Sequence, residues 1–207
     1  MGYSGAGVVP PMTNAKFLSN PAIPRALAEL QPERRIIAQI LPNLYLGSRE
    51  AACNLSLLQE LGVRACVNCT RDPPLHPTAL RYFHVDVEDS SEQAETIAGY
   101  FDVVPPWVRK QQEGGSVLVY CMQGVSRSTT ITLALLLHLK PEWSLFNAWT
   151  HVKRERHKVR PNPGFLRVLS QYERRLRGEG SVKLAKDSKG FQPVNTRTPA
   201  LQECRRV

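Results

Sequence analysis

An apolar run, Val117-Leu118-Val119-Tyr120, leads directly into Cys121, and Met122-Gln123-Gly124-Val125-Ser126 then carries the chain to Arg127-Ser128 and a further apolar stretch. A short loop that feeds a helix N-terminus turns several unpaired backbone N–H groups toward one point, and the helix dipole adds positive potential there. Such a nest suits a tetrahedral oxyanion. Cys121 stands at the mouth of that field, which favours its thiolate, the nucleophilic form. Arg127, six residues on, is placed to fold back and clamp two phosphate oxygens in a planar fork that Lys does not reproduce. Gly124 permits the turn, and Ser128 is placed to donate to the sulfur when it becomes a leaving group. A cysteine after a buried strand is commonly just a small core hydrophobe. Cys-x5-Arg alone is a weak signal, whereas strand, Cys, Gly-containing loop, Arg-Ser and apolar helix in that order is specific. The Gly-Lys-Ser/Thr ending of a nucleotide loop is absent.

Phosphoryl transfer also needs a proton for the departing oxygen. Asp86, Glu88 and Asp89, in Val85-Asp86-Val87-Glu88-Asp89-Ser90-Ser91, are the carboxylates on offer. Asp86 alternates with apolar neighbours and fits a strand end; a carboxylate before Ser-Ser-Glu also fits helix capping.

The stretch Tyr120 to Ser128 resembles the signature loop of the dual-specificity branch of the cysteine-dependent phosphatases. Ile40-Leu-Pro-Asn-Leu-Tyr-Leu-Gly-Ser48 is similar to that family's domain opening, and Arg160-Pro-Asn162-Pro-Gly164-Phe165 to the start of its last helix. The resemblance covers about residues 36–177, and the small size points to the atypical subgroup. It implies a phosphocysteine mechanism without a metal or cofactor, and a phosphate loop of Met122, Gln123, Gly124, Val125, Ser126 and Arg127. It further implies Asp89 as general acid, with Asp86 as the alternative, and Asn162 as support for the loop. The family has His before the nucleophile where this chain has Tyr120, assigned here to loop support. Tyr donates a hydrogen bond but carries no charge near neutrality. A weaker thiolate, slower turnover, or a phosphoprotein-binding module using the same loop therefore stays open.

Positioning these residues requires a layered domain. Residues 36–40, 44–46, 63–68, 82–87 and 116–120 read as strands; 51–61, 92–112, 128–139, 144–156 and 163–176 read as helices, with Pro105-Pro106 kinking or interrupting the second. Strands alternating with helices imply a single α/β domain, a mostly parallel sheet of about five strands flanked by helices. Residues 31–177 form the catalytic domain in this reading. Residues 1–30, rich in Gly, Pro, Ser and Ala, read as a flexible arm, and 178–207 as a basic mobile tail.

The chain has 207 residues and a net charge of +9. Residues 151–177 alone carry nine Lys and Arg against Glu155 and Glu173, which reads as a solvated helix face. The uncharged side chains of the loop disfavour a phosphoinositide substrate, and the basic run lacks the interleaved aromatics of a nucleic-acid groove. Phosphoproteins are the expected partners. Five scattered cysteines imply a reducing compartment, cytoplasmic and/or nuclear. Cys66 and Cys69 lack a second pair at metal-ligand spacing, and His138, His151 and His157 have no evident acidic partners. No transmembrane segment is expected, and a monomer is.

Overall fold

The computed structural model describes residues 36–187 and 190–196. Its centre is a five-stranded sheet of β1 (Ile37–Leu41), β2 (Leu44–Ser48), β3 (Val63–Asn68), β4 (Arg81–His84) and β5 (Ser116–Cys121), in the order β1-β2-β5-β3-β4. β1 and β2 pair antiparallel around the turn at Asn43; the other pairs are parallel, with Ser48 opposite Cys121 and Asn68 opposite Tyr120. The helices are α1 (Arg49–Cys53), α2 (Leu55–Glu60), α3 (Ala94–Ala98), α4 (Val104–Gln112), α5 (Arg127–Leu139), α6 (Leu145–Glu155) and α7 (Pro163–Arg177).

β5 is buried along its whole length and alternates between two cores. Val117, Val119 and Cys121 face the larger one, with α5, α6 and α7, while Leu118 and Tyr120 face the smaller one, with α1 and α2. α5 lies under the sheet with Ser128 to Leu137 all buried, so its near-continuous apolar run belongs to a central helix. The C-terminal ends of β2, β3 and β5 thus converge beside the N-terminus of α5, where ligands of open α/β sheets bind.

Several elements differ from the sequence reading. The expected helix over 51–61 is split at Asn54, whose side chain caps α2 by accepting from the Leu57 N–H at 3.0 Å. The stretch 92–112 becomes a short turn at Ser91–Gln93, then α3 and α4; Pro105 and Pro106 occupy the first turn of α4, where a missing N–H costs nothing. Within the expected tail, β6 (Val182–Asp187) and β7 (Gly190–Asn195) form a hairpin that touches α6 and α7. Ser181 anchors it, donating from its N–H and hydroxyl to the buried Glu173 carboxylate at 2.8 and 2.7 Å, and the same carboxylate accepts from Leu145 N–H at 2.6 Å. The expected N-terminal arm and the end of the expected tail lie outside the described residues.

Candidate active site

The loop from Cys121 to Arg127 is held from behind, one carbonyl after another. Met122 O accepts from Arg49 N–H at 3.1 Å, Gln123 O from Arg156 Nη2 at 3.0 Å, Gly124 O from Arg156 Nε at 2.8 Å, and Val125 O from Arg160 N–H at 2.7 Å. In a trans peptide the N–H points opposite the C=O. Pinning these four carbonyls outward therefore aims the N–H groups of Gln123, Gly124, Val125 and Ser126 into the bowl. Gly124 has φ +66°, and a Cβ there would sit 2.4 Å from Gly47 O and 2.7 Å from Arg156 Nη2. Only glycine fits.

Ser126 precedes α5 but does not cap it with its side chain. Its hydroxyl instead donates to Asp89 Oδ1 at 2.6 Å and accepts from Asn162 N–H at 3.1 Å. The first N–H groups of a 13-residue helix are left to face the bowl. Ser128, on the first turn, donates to Cys121 Sγ at 3.1 Å. Arg127 returns over the loop with Nη1 3.3 Å from Val87 O, and its Nε is buried without a partner among the described residues. An orphaned buried donor costs about 1–3 kcal/mol, which an oxyanion in the bowl would recover.

Asp89 is exposed on the segment after β4. Its Oδ1 accepts from Ser126 and, at 3.0 Å, from Asn162 Nδ2. Its Oδ2 meets no donor among the described residues and remains available to a ligand. Asn162 also accepts at Oδ1 from Phe165 N–H at 3.0 Å, capping α7, and from Ser91 Oγ at 3.3 Å. One residue, through its side chain and its backbone N–H, thus joins the acid's segment, the loop and the last helix. Asp86 is turned elsewhere, 3.5 Å from Arg71 Nε.

Tyr120 differs from its expected place at the loop. Its ring is buried on the far face of the sheet, in the core with Leu118 and Cys66, and burial raises its hydroxyl pKa well above the ordinary range. What it gives the neighbouring strand is its carbonyl, which accepts from Cys69 N–H at 2.8 Å. Cys66 and Cys69 fall in opposite cores, so they cannot chelate jointly; burial pushes the Cys66 thiol up to about 12 and raises that of Cys69 as well. His138 does have an acidic neighbour, Asp102 Oδ1 at 3.5 Å, and it also meets the Tyr172 hydroxyl.

Arg156 is the residue that sequence reasoning missed. It is 2% exposed, and burial lowers its pKa to about 10 even though the nearby Cys121 favours its charge. Its place in a run of basic residues made it look like surface charge. The available signal was its position six residues before Asn162, just ahead of the segment matched to the loop's support.

The family model described as the catalytic domain of dual specificity phosphatases matches residues 44–175. This chain belongs to the dual-specificity phosphatase family. It is 36% identical over 159 residues to human dual specificity protein phosphatase 14, covering 76% of this chain and 79% of that protein. It is likewise 36% identical over 165 residues to human dual specificity protein phosphatase 9, across 79% of this chain and 43% of that one. The crystal structure of human DUSP28 superposes with a TM-score of 0.65 at 30% identity, over 72% of this chain and 99% of that chain. The protein is an atypical dual-specificity phosphatase, a cysteine-based protein phosphatase acting on phosphoproteins. Among the described residues no helix is long and apolar enough to cross a membrane.

Proposed function

We propose that Cys121 is the nucleophile that removes phosphate from phosphotyrosine and/or phosphoserine/threonine, with residues 31–177 as the catalytic domain. The observation that carries this reading is the outward anchoring of four successive loop carbonyls beside a sulfur that already accepts from Ser128. The phosphate sits in the bowl with Arg127 spanning two of its oxygens, its buried Nε gaining an acceptor. Sγ attacks phosphorus in line with the ester oxygen. Asp89 Oδ2 gives its proton to that oxygen, and a phosphocysteine forms as the S–P bond replaces the P–O bond. Water then attacks phosphorus, Asp89 takes its proton, and the thiolate leaves with the Ser128 hydroxyl supporting its charge. Asn162 and Ser126 hold Asp89 over the bowl through its other oxygen. Charge on the transferring group is balanced by Arg127 and the loop amides, so no step is routed through a metal.

The chain works in the cytoplasm and/or nucleus as a monomer in this reading. Its support is that the four described cysteines are free and that the exposed large apolar side chains, Val103, Met122, Leu176 and Phe191, are scattered. Activity of wild type and Cys121→Ser on paired phosphotyrosine and phosphothreonine peptides, with a chelator present, tests the chemistry. Wild type is expected to turn over and the variant to stay at background. Loss of activity on chelation, with activity retained in Cys121→Ser, would overturn it.

A further inference from the structure

At the opposite end of the sheet from Cys121, a cleft of about 460 Å³ lies between the starts of β3 and β4 and the end of α4. Arg64, Arg81 and Lys110 line it together with Thr78, Gln111 and Gly114, and no acidic residue does. All three cations are exposed. Arg49, Arg71, Arg154, Arg167 and Arg175 each meet a carboxylate elsewhere on the surface. Arg64 and Lys110 meet none among the described residues, and Arg81 makes only a 3.2 Å bond to Gln111 Oε1. Lys110 also opposes the C-terminal dipole of α4. Arg64 and Arg81 stand on strands and have no such reason to gather there. Three like charges converging on one concavity repel one another, and an anion entering it relieves that repulsion.

We propose that this cleft binds an acidic segment of the protein substrate, remote in sequence from the residue being dephosphorylated. The inference rests on the protein-phosphatase reading above. β5 alone separates the two ends of the sheet by about 17 Å at roughly 3.3 Å per residue, so one extended chain can reach both sites. Tethering at the cleft then raises the effective concentration of the phosphoresidue at the bowl. A protein segment is favoured over a lipid surface because the lining is a concavity whose loop residues, Pro77 to Leu80, include no large exposed apolar side chain to enter a bilayer.

The test compares two phosphotyrosine peptides that carry a short block of Glu or of Gln, on either side, roughly twelve residues away; at about 3.3 Å per residue that linker spans ~40 Å, enough for the ~17 Å between the sheet ends plus the path over the surface. Three modest exposed ion pairs lead us to expect kcat/KM to favour the Glu peptide by roughly 5–10-fold at low salt. That ratio is expected to fall toward about 1 at high salt and in Arg64→Gln/Arg81→Gln/Lys110→Gln. Arg109→Gln, at the same helix end but outside the lining, is expected to keep it. Turnover of p-nitrophenyl phosphate normalises each protein for active enzyme, and its absence from wild type would sink the phosphatase reading itself. A ratio near unity in active wild type, or one unchanged in the triple variant, overturns the cleft proposal. So does binding to anionic phosphatidylserine vesicles that needs the three cations while the peptides are not distinguished.

Discussion

Arg156 lies behind the phosphate loop with its Nε 2.8 Å from the carbonyl oxygen of Gly124, the residue whose missing side chain lets that guanidinium in. The cation lies near Cys121, whose charge favours its own, and orients the bowl's amides by holding their carbonyls. Arg156→Met leaves two loop carbonyls without their donor, at about 1–3 kcal/mol each if they stay buried. The thermal midpoint is expected to fall by several degrees, and kcat by roughly 10²-fold as the amides lose their aim. Lys offers one charged nitrogen in place of the fork, so Arg156→Lys is expected to recover stability better than turnover. Equal recovery of both would mean that the charge alone matters.

Gly124→Ala places a methyl 2.4 Å from Gly47 O at a positive φ. The loop must move, and activity is expected to drop at least as far as in Arg156→Met while the helices remain folded by circular dichroism. Near-wild-type kcat in this variant would contradict the outward anchoring described for the loop.

Asp89→Asn removes the proposed proton donor and is expected to lower kcat on phosphotyrosine peptides by ~10²–10⁴-fold. The loss should shrink on aryl phosphates whose leaving group is itself acidic. Asn162→Ala frees the same carboxylate from one of its two donors and uncaps α7. A loss of about 10-fold in kcat, together with about 1 kcal/mol of stability, is expected. If Asp89→Asn were harmless and Asp86→Asn were not, the acid would be misassigned.

Ser128→Ala removes the hydrogen bond to Sγ. The phosphocysteine then breaks down more slowly than it forms, so rapid-mixing experiments should reveal a burst of the first product followed by a slow steady state. A variant with no burst and normal kcat would remove Ser128 from the reaction.

The Asp102 carboxylate is held below its usual range by its hydrogen bond to Arg175, with further help from Tyr172 and His138. A carboxyl with a lowered folded-state pKa contributes stability above its unfolded value, near ~3.9, and loses it as pH falls through the folded value. The thermal midpoint of wild type is therefore expected to drop more than that of Asp102→Asn on acidification below about pH 4. Asp102 is about half exposed, so the difference should be small. Parallel acid profiles would remove Asp102 from the pH response.

Much of the site was legible because the catalytic stretch is local. Strand β5, the Gly124 turn and helix α5 follow one another without interruption over residues 116–139, so Cys121, Gly124, Arg127 and Ser128 reach one point through local conformation alone. Most of the central sheet was legible for the same reason: β1, β2, β3 and β5 carry buried apolar residues bounded by turns, whereas β4 is half-exposed. Asp89 and Asn162 needed the family resemblance, since nothing local says that two segments 73 residues apart share a hydrogen bond. Arg156 was hidden because a buried cation and a solvated one look alike in a basic run, and only the facing carbonyls decide between them. The β6–β7 hairpin was missed because its apolar side chains, such as Val182, Leu184 and Phe191, are interleaved with Lys, Gly and polar residues; its anchor is Glu173, a polar contact that no hydrophobic period reveals.

The most direct measurement traps the intermediate. Wild type and Cys121→Ser are quenched within milliseconds of mixing with phosphotyrosine peptide, and intact-protein and peptide mass spectra are recorded. A phosphoryl group on the Cys121 sulfur in wild type, absent from the variant together with turnover, is the predicted result. Turnover with no adduct on Cys121, or turnover surviving in Cys121→Ser, would contradict it.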